Sequence, residues 1–590
     1  MHMSTTRITL ISLSMIAVFS NCSPPKAQVV SSITNSASLP DSLVKRVNQL
    51  DAFFDASGLT GGILVQKGNT TLLSKGSGWA NAEKGLVNSE NTVFNIGSIA
   101  KQFTAASILK LEEVGKLSTS DTIGKFFPSV PADKKNITIH HLLTHTSGLK
   151  RDVIEKTIYP SRDEYIKMVM SANLQSKPEE KYSYSNAGYS LLGAIIEIVS
   201  GMSYENYLRQ TLWLPAGMKQ TGFVLPAWNK KNWSYAFQSN ISYRSPDSFW
   251  GSDGPSWAVR GSGEILSTLL DLQKWGNVLK GDQVLSSAIK SKMFKPYVAM
   301  NKEGKNYYGY GWIVEKTSWN TTMISNTGEN GYYQATLYNY TDDDVIIINY
   351  INDLTKYSDR FINALSTMFF TGFPSFPEPK IKLSSAQLRQ LGGVYKFDSG
   401  EEFHIEVQNE YPTINIIRFP VARYLTQFGV INDSLRLKDL STRISYLFDN
   451  MFADKFNTIE KDLDFEGSLA EERKYWLNKF EDWKEYGSYK KVDVIGTVQR
   501  KNFLTTYVLL QFEKDNLVVQ VRQNNERKFY VGVSDDGILP RYYRLMPQSA
   551  TSFAIYNPVA KRTVTVEWEE KAKRLRIKNG NETYSATKLK

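Results

Sequence analysis

The chain has 590 residues, of which 41% are hydrophobic and 12% aromatic, and it carries a formal net charge of +11. A chain of this length is too long for one hydrophobic core, so about three domains are expected. Its Lys and Arg residues are scattered rather than clustered, which indicates a solvated basic surface and no nucleic-acid partner. Because Cys22 is the single cysteine, no disulfide can form within the chain.

The first 22 residues have the pattern of an export signal. Arg7 precedes an apolar run of 12 residues, 8–19, which is too short to span a bilayer. Cys22 follows this run closely, which resembles a bacterial lipoprotein signal whose cysteine becomes the lipidated first residue. The alternative is an ordinary signal peptide that is cleaved nearby. We therefore expect an exported protein, periplasmic or anchored to the outer membrane through Cys22, with residues 23–44 as a flexible tether.

Residues 45–372 alternate between strand-like and helical patterns. A strand pair is predicted at 62–66 and 71–73, on either side of a turn at 67–69. Further elements follow in chain order, with helices at 99–114, 191–199 and 265–279 and strands at 308–314, 321–325, 332–338 and 345–350. This order predicts one α/β (α+β) domain in which helices flank an antiparallel sheet.

A proline-rich stretch at 373–383 predicts the end of this domain. Residues 384–590 are strand-rich, with alternating apolar and polar positions such as 563–568. Within them, 437–535 shows two helical patterns followed by strands. This predicts an inserted α+β module, which resembles a ketosteroid-isomerase-like cone. Whether the C-terminal region covers the cleft, binds a ligand or is inert stays open.

Ser98 and Lys101 form the first candidate catalytic pair. They stand three residues apart at the start of the 99–114 helix, so they share one face about one turn apart. The positive end of the helix dipole favours an alkoxide, and a lysine can accept or relay the serine proton. Such a nucleophile needs no histidine. The alternative is an N-capping serine beside a solvated lysine.

Two further polar stretches could complete such a site. Tyr184 and Asn186 precede an apolar helix. A cationic Lys101 beside Tyr184 would lower the phenol pKa and make the tyrosine a general base. Asn186 could orient the lysine or cap the helix. Residues 326–331 follow a predicted strand, and their N–H groups could serve an oxyanion hole, although an ordinary glycine-rich hairpin turn is the alternative.

In this order and spacing, the three motifs resemble the serine β-lactamase and penicillin-binding-protein superfamily. The similarity is to the branch of class C β-lactamases, D-alanyl-D-alanine carboxypeptidases and esterases. Segments 139–149, 214–218 and 261–268 are also similar to signatures of that branch. The resemblance covers about residues 45–372 and implies a serine β-lactamase/transpeptidase-like fold.

The resemblance also implies a role for each motif residue. Ser98 would be the acylated nucleophile, and Lys101 would take or relay its proton. Tyr184 would be the base in acylation and would help to activate water in deacylation. Asn186 would hold Lys101 and the acyl side chain, and the N–H groups of Ser98 and Glu329 would form the oxyanion hole.

The third motif departs from the family pattern. Asn326 stands where the family has Lys or His, and Gly328 would let the substrate backbone approach the strand. Without that cation, and with Glu329 nearby, carboxylate-bearing β-lactams and D-Ala-D-Ala peptides are disfavoured, whereas esters and neutral amides remain open. The alternative function is a catalytically weak scaffold that binds a cell-wall or small-molecule ligand.

No metal or cofactor is expected. His141 and His145 are four residues apart and His140 adjoins them, but no carboxylate or cysteine lies close in the sequence. A G-x-S-x-G nucleophile elbow is also missing from the sequence. The expected partners are a small-molecule, peptide or ester substrate and a membrane, reached through the N-terminal lipid anchor.

Overall fold

The computed structural model describes residues 40–81, 84–238, 242–302, 304–353, 359–398, 400, 402–408, 411–415, 434–465, 468–499, 504–513, 516–532, 542–557, 562–580 and 582–589. The helices are α1 (Asp41–Ala56), α2 (Ala100–Glu113), α3 (Ile139–Leu143), α4 (Arg162–Ser171), α5 (Asn186–Ser200), α6 (Tyr204–Leu208), α7 (Leu269–Val278), α8 (Ser287–Met293), α9 (Asp359–Thr371), α10 (Ser385–Leu391), α11 (Ser434–Phe452), α12 (Phe456–Ile459) and α13 (Leu469–Asp482). Within this part of the chain, no helix is both long and apolar enough to cross a membrane.

The strands up to residue 351 are β1 (Gly61–Lys67), β2 (Thr70–Ser77), β3 (Trp79–Asn81), β4 (Leu86–Val87), β5 (Phe94–Asn95), β6 (Ala236–Gln238), β7 (Ser242–Arg244), β8 (Trp250–Gly251), β9 (Gly254–Pro255), β10 (Leu266–Ser267), β11 (Val298–Ala299), β12 (Asn306–Tyr308), β13 (Ile313–Lys316), β14 (Thr322–Glu329), β15 (Gln334–Tyr340) and β16 (Val345–Ile351). Those beyond it are β17 (Gly393–Phe397), β18 (Glu402–Gln408), β19 (Tyr411–Asn415), β20 (Tyr489–Gln499), β21 (Leu504–Phe512), β22 (Asn516–Gln523), β23 (Phe529–Gly532), β24 (Tyr542–Arg544), β25 (Met546–Pro547), β26 (Ser552–Asn557), β27 (Arg562–Glu569), β28 (Arg574–Asn579) and β29 (Glu582–Lys588).

The first large sheet is antiparallel and has the strand order β11-β12-β13-β14-β15-β16-β1-β2. Strand β16 is buried along its whole length and is an almost continuous apolar run, as expected for a strand covered on both faces. Helices α1 and α9 pack on one face, and α2, α5 and α7 belong to the core on the other. The predicted fold, an antiparallel sheet flanked by helices, is confirmed.

Three predicted elements differ from the structure in this sheet region. The strand predicted at 308–314 is two short strands, β12 and β13, which pair with each other and are separated by 309–312. The helix predicted at 265–279 begins only at Leu269, because β10 pairs with β5, the strand that leads to Ser98. Strand β14 extends through Glu329, since 326–329 pair residue by residue with 334–337 of β15. Residues 326–329 of the third motif therefore lie in a strand, and only residues 330 and 331 belong to the hairpin turn that follows. By contrast, α2 and α5 contain the predicted helices to within a few residues.

The C-terminal region contains a second antiparallel sheet and a separate α+β unit. The second sheet has the order β24-β19-β18-β17-β29-β28-β27-β26-β25, so β19 and β24 are neighbours although 126 residues lie between Asn415 and Tyr542 in the sequence. Between them in sequence, β20 to β23 form their own sheet, and α11, α12 and α13 share a core with it. The predicted β-rich C-terminal region is confirmed, and the domain limits at 373–383, 384 and 437–535 stay predictions.

A buried ion cluster joins the second sheet to the first. The Arg544 side chain, 1% exposed, donates to Asp55 Oδ1 of α1 and to Ser77 Oγ of β2, both at 2.8 Å. Lys75 Nζ lies 2.9 Å from the same Asp55 oxygen. Burial alone would raise the pKa of Asp55, but Lys75 and Arg544 hold it below its usual value. Met546 and Tyr556 of the second sheet also enter the core around α1.

Candidate active site

Ser98 lies in a 3-10 turn, Gly97–Ile99, that leads directly into α2. The N-cap of α2 is Ile99, which makes no side-chain capping bond, so the alternative of a capping serine does not apply. Strand β14 passes very close to this turn. A Cβ added to Gly328 would stand 1.8 Å from the Ile96 carbonyl oxygen, and one added to Gly97 would stand 2.4 Å from the Glu329 nitrogen. Glycine at both positions is what allows the strand to approach the nucleophile.

Lys101 is fully buried beside Ser98. Its Nζ lies 3.0 Å from Ser98 Oγ, 2.8 Å from Asn186 Oδ1 and 2.7 Å from the Ser262 carbonyl oxygen. Burial lowers the pKa of Lys101 well below its usual value. A neutral amine donates its two hydrogens to Asn186 and Ser262, which leaves the nitrogen lone pair for the Ser98 hydroxyl. Lys101 can therefore accept the serine proton.

Tyr184 approaches Ser98 from the other side. Its hydroxyl donates to Ser98 Oγ at 2.8 Å, and Lys101 Nζ lies 4.8 Å from the centre of its ring. Burial raises the pKa of Tyr184 to about 12. The expectation that Lys101 lowers this pKa is wrong, because burial is the largest influence on the Tyr184 hydroxyl and disfavours the phenolate. Tyr184 is therefore a proton donor to Ser98 in this structure.

Asn186 is the first residue of α5. The cap of this helix is Ser185, whose side chain accepts from the Gly188 N–H, so the interpretation of Asn186 as an N-cap is wrong. The Asn186 side chain instead accepts from Lys101 through its oxygen and donates to Asp152 Oδ1 at 2.9 Å through its nitrogen. Asn186 thus fixes the lysine, as the sequence suggested.

A cavity of about 680 Å³ opens at Ser98. Its walls are the Ser98 turn, the loop around 151–158, residues 262–264 and the end of β14 with the following turn, 329–331. Of the predicted substrate-binding residues, Asn186 and Glu329 line this cavity. The Asn326 amide is used elsewhere, since it donates to the Gly311 carbonyl at 2.8 Å. Gly328 contributes its backbone, packed against the nucleophile turn.

Five charged residues of the cavity wall were missed by the sequence analysis. The Arg151 guanidinium lies 5.5 Å from the centre of the Tyr184 ring, and Asp152 accepts from Asn186. Glu155, Lys156 and Glu264 complete the set. Four of them follow the 139–149 signature within seven residues and Glu264 lies within 261–268, but no spacing rule connects such loop charges to a nucleophile.

The three neighbouring histidines have separate surroundings. His140 Nδ1 lies 2.7 Å from the Tyr310 hydroxyl, and His141 Nε2 lies 2.9 Å from Glu179. His145 is buried 4.4 Å from the Tyr184 ring, where burial lowers its pKa well below the usual value and keeps it neutral. Among the described residues, no group of three or more His, Cys, Asp or Glu side chains is placed to hold a metal ion.

The contacts of Ser98 with a buried lysine and a tyrosine, beside β14 of the antiparallel sheet, make it the candidate nucleophile of this site. The sequence model of the β-lactamase family matches residues 47–367, more than half of the chain. The chain belongs to this family, which confirms the resemblance seen in the sequence.

Several known proteins are similar to this chain. A penicillin-binding protein of Bacillus subtilis (strain 168) is 28% identical over 374 residues, which cover 59% of this chain and 82% of the relative. The teichoic acid D-alanine hydrolase of Staphylococcus aureus (strain MRSA252) is 26% identical over 273 residues, or 46% of this chain and 66% of the relative. The crystal structure of a penicillin-binding protein from Bacillus halodurans is 24% identical, with a TM-score of 0.48, and covers 54% of this chain and 99% of its own.

Proposed function

We propose that the protein is a serine hydrolase that cleaves an ester or amide bond through an acyl-enzyme on Ser98. The observation that carries this proposal is the position of Ser98 Oγ, 3.0 Å from Lys101 Nζ and 2.8 Å from the Tyr184 hydroxyl. One neighbour can take the serine proton and the other can donate a proton, which are the two transfers that acylation requires.

The acylation step follows from these contacts. Neutral Lys101 takes the proton of Ser98 as Oγ attacks the substrate carbonyl, and the N–H groups of Ser98 and Glu329 face the oxyanion that forms. The bond to the leaving group then breaks, and its oxygen or nitrogen takes a proton from Tyr184, which regains one from the Lys101 ammonium. In deacylation, water attacks the acyl carbonyl and gives its proton to Lys101. The bond to Ser98 Oγ then breaks, and Ser98 takes up that proton and leaves as the alcohol.

The charges near Ser98 favour esters and neutral amides as substrates. The side chain at position 326 is an uncharged asparagine that is engaged with Gly311, and the carboxylate of Glu329 lines the cavity. Both features disfavour a substrate carboxylate at this edge of the site. One relative is named as a teichoic acid D-alanine hydrolase, and that name supports including a D-alanyl ester in the assay.

A second candidate function is a scaffold that binds a cell-wall or small-molecule ligand with little turnover. The observation that favours it is the same Asn326, because a strand without a cation lacks one source of electrostatic stabilisation for the reacting groups. In that case Ser98 would react slowly or not at all, while the cavity would still hold a ligand.

The experiment that separates these functions is intact-protein mass spectrometry after exposure to a fluorophosphonate, a labelled penicillin, a series of p-nitrophenyl esters and a D-alanyl ester. The variants are Ser98→Ala and, as a matched control, Ser120→Ala, which alters an exposed serine outside the cavity. An adduct or turnover that is present in the wild type and in Ser120→Ala but lost in Ser98→Ala supports the hydrolase. The absence of both an adduct and turnover in a folded wild type contradicts it, as does an adduct or turnover that persists in Ser98→Ala.

We further propose that the protein is exported and anchored to a bacterial membrane through a lipid on Cys22. The support is the sequence alone, an apolar run at 8–19 followed by the single cysteine, and both lie outside the described residues. Fractionation of cells that express the wild type or Cys22→Ser tests the anchor. Release of the variant from the membrane fraction is expected, and equal membrane retention of both proteins would contradict the anchor.

A further inference from the structure

Glu264 is a buried carboxylate with an unusual backbone. It is 2% exposed, it lies in the cavity wall, and its φ of 65° falls in the left-handed region that residues with a Cβ seldom adopt. The preceding residue, Gly263, could adopt a left-handed backbone at little cost, but the left-handed position is occupied by Glu264. Left-handed residues with side chains persist where the surroundings hold them, often at functional sites.

The Glu264 carboxylate connects two sides of the cavity. Its Oε2 accepts from Asn95 Nδ2 at 2.7 Å, and Asn95 Oδ1 accepts from the N–H of Gly97, the residue before Ser98, at 2.9 Å. Its Oε1 lies 3.6 Å from Lys156 Nζ. Lys156 in turn donates to the Asn330 carbonyl at 2.8 Å, one residue beyond Glu329. One carboxylate is thus tied to both the nucleophile turn and the end of β14.

The backbone around Glu264 serves the same parts of the site. The Ser262 carbonyl, two residues before it, accepts from Lys101 at 2.7 Å. The Ile265 carbonyl, one residue after it, accepts from the N–H of Ile96 at 2.9 Å. The left-handed residue stands between these two carbonyls, so the bend it makes directs one to the base and the other to the segment that carries Ser98.

We propose that Glu264 is a positioning residue of the hydrolase. It fixes the Ser98 turn through Asn95, and it holds the loop around Lys156 against the end of β14. This inference rests on the proposed function, and it assigns Glu264 no contact with the substrate. Because both oxyanion N–H groups belong to the segments that it joins, its removal should affect the chemical step more than substrate binding.

The test compares Glu264→Gly, Glu264→Gln and Glu113→Gln with the wild type in steady-state ester hydrolysis. Glu113→Gln removes an exposed carboxylate of α2 outside the cavity and serves as the control for charge. Glu264→Gly should lower kcat by about tenfold or more and change KM little. Its melting temperature should stay near that of the wild type, since glycine relieves the left-handed backbone. Glu264→Gln should recover most of kcat, because its amide oxygen still accepts from Asn95.

The proposal is overturned if Glu264→Gly keeps kcat within about twofold of the wild type, or if Glu113→Gln lowers kcat as much as Glu264→Gly does. Should Glu264→Gly not fold, Lys156→Met decides, because it breaks one connection and leaves the strained backbone intact; an unchanged kcat there contradicts the proposal. If the folded wild type hydrolyses nothing, the proposed function fails by itself. Hydrogen exchange of the backbone amides at 95–98 then tests the positioning role of Glu264. Glu264→Gln should keep the protection of these amides, whereas Asn95→Ala should lose it. Equal exchange in the two variants refutes the proposal.

Discussion

Lys101, rather than Tyr184, should set the dependence of activity on pH. With a pKa of about 12, only about one Tyr184 in 10⁵ is ionised at pH 7, which corresponds to about 7 kcal/mol for forming the phenolate. The buried Lys101 has its pKa lowered well below the usual value and offers the more accessible base. We expect kcat/KM to rise with pH as Lys101 loses its proton and then to level off.

Two substitutions separate the roles of these residues. Tyr184→Phe removes a proton donor and should lower kcat/KM by about 10²- to 10⁴-fold, or about 3–5 kcal/mol, without moving the rise at low pH. Lys101→Met should remove that rise together with most of the activity. The assay is p-nitrophenyl ester hydrolysis between about pH 4 and pH 10. Tyr446→Phe, at an exposed tyrosine of α11, is the matched control.

One result would refute this reasoning. If the low-pH rise disappears in Tyr184→Phe and persists in Lys101→Met, then Tyr184 is the base and burial does not keep its proton in place. The expectation from the sequence that Tyr184 is the general base would then be correct. Equal losses in Tyr184→Phe and Tyr446→Phe would show that the assay does not report on Ser98 at all.

Three further predictions concern the framework around the site. Arg544→Ala should lower the free energy of unfolding in urea by about 3–5 kcal/mol, because it leaves buried Asp55 with one cation fewer. Gly328→Ala should slow Ser98 labelling by a fluorophosphonate about 10²-fold, because the new Cβ would meet the Ile96 carbonyl and displace β14. The free energy of unfolding of Lys101→Met, measured in urea at several pH values, should increase relative to that of the wild type as the pH is lowered from 10.5. Between the lowered pKa of Lys101 and 10.5 the unfolded wild type binds more protons than the folded one, so its stability falls as the pH falls.

Each framework prediction has a control on the same chain. Arg576 pairs with Glu569 at the surface, so Arg576→Ala should change the free energy of unfolding by less than about 1 kcal/mol. A Cβ on Gly124 would meet only ordinary contact, so Gly124→Ala should label like the wild type. The reasoning is contradicted if Arg576→Ala loses as much stability as Arg544→Ala, or if Gly124→Ala slows labelling as much as Gly328→Ala. It is also contradicted if the difference in free energy of unfolding between Lys101→Met and the wild type does not change with pH.

The sequence was sufficient for those parts of the molecule that depend on local pattern. The apolar periodicity of α2 and α5 predicted these helices, and the order of Ser98, Tyr184 and the glycine motif predicted which segments meet. The extension of β14 through Glu329 was missed, because the pairing with β15, rather than the composition of 326–329, decides where that strand ends.

The charges of the site were harder to predict, since burial decides them. Tyr184 next to a lysine suggested a lowered phenol pKa, but the fold excludes water from both groups and reverses that expectation. Glu264 lies within the 261–268 signature, but the sequence did not indicate its role. That role depends on a backbone conformation and on two distant partners, Lys156, 108 positions away, and Asn95, 169 positions away. Arg544 likewise meets Asp55 from 489 positions away.

Strands β19 and β24 are neighbours in the second sheet, although the α+β unit lies between them in the sequence. Asn415 and Tyr542 face each other in the ladder, so the polypeptide leaves the sheet and re-enters it at one place. A short reverse turn could join these strands directly, and the sheet would keep its order. We therefore expect that the α+β unit can be exchanged for another insert while the second sheet keeps its strand order, provided that the packing of Leu509 in the core of that sheet is replaced.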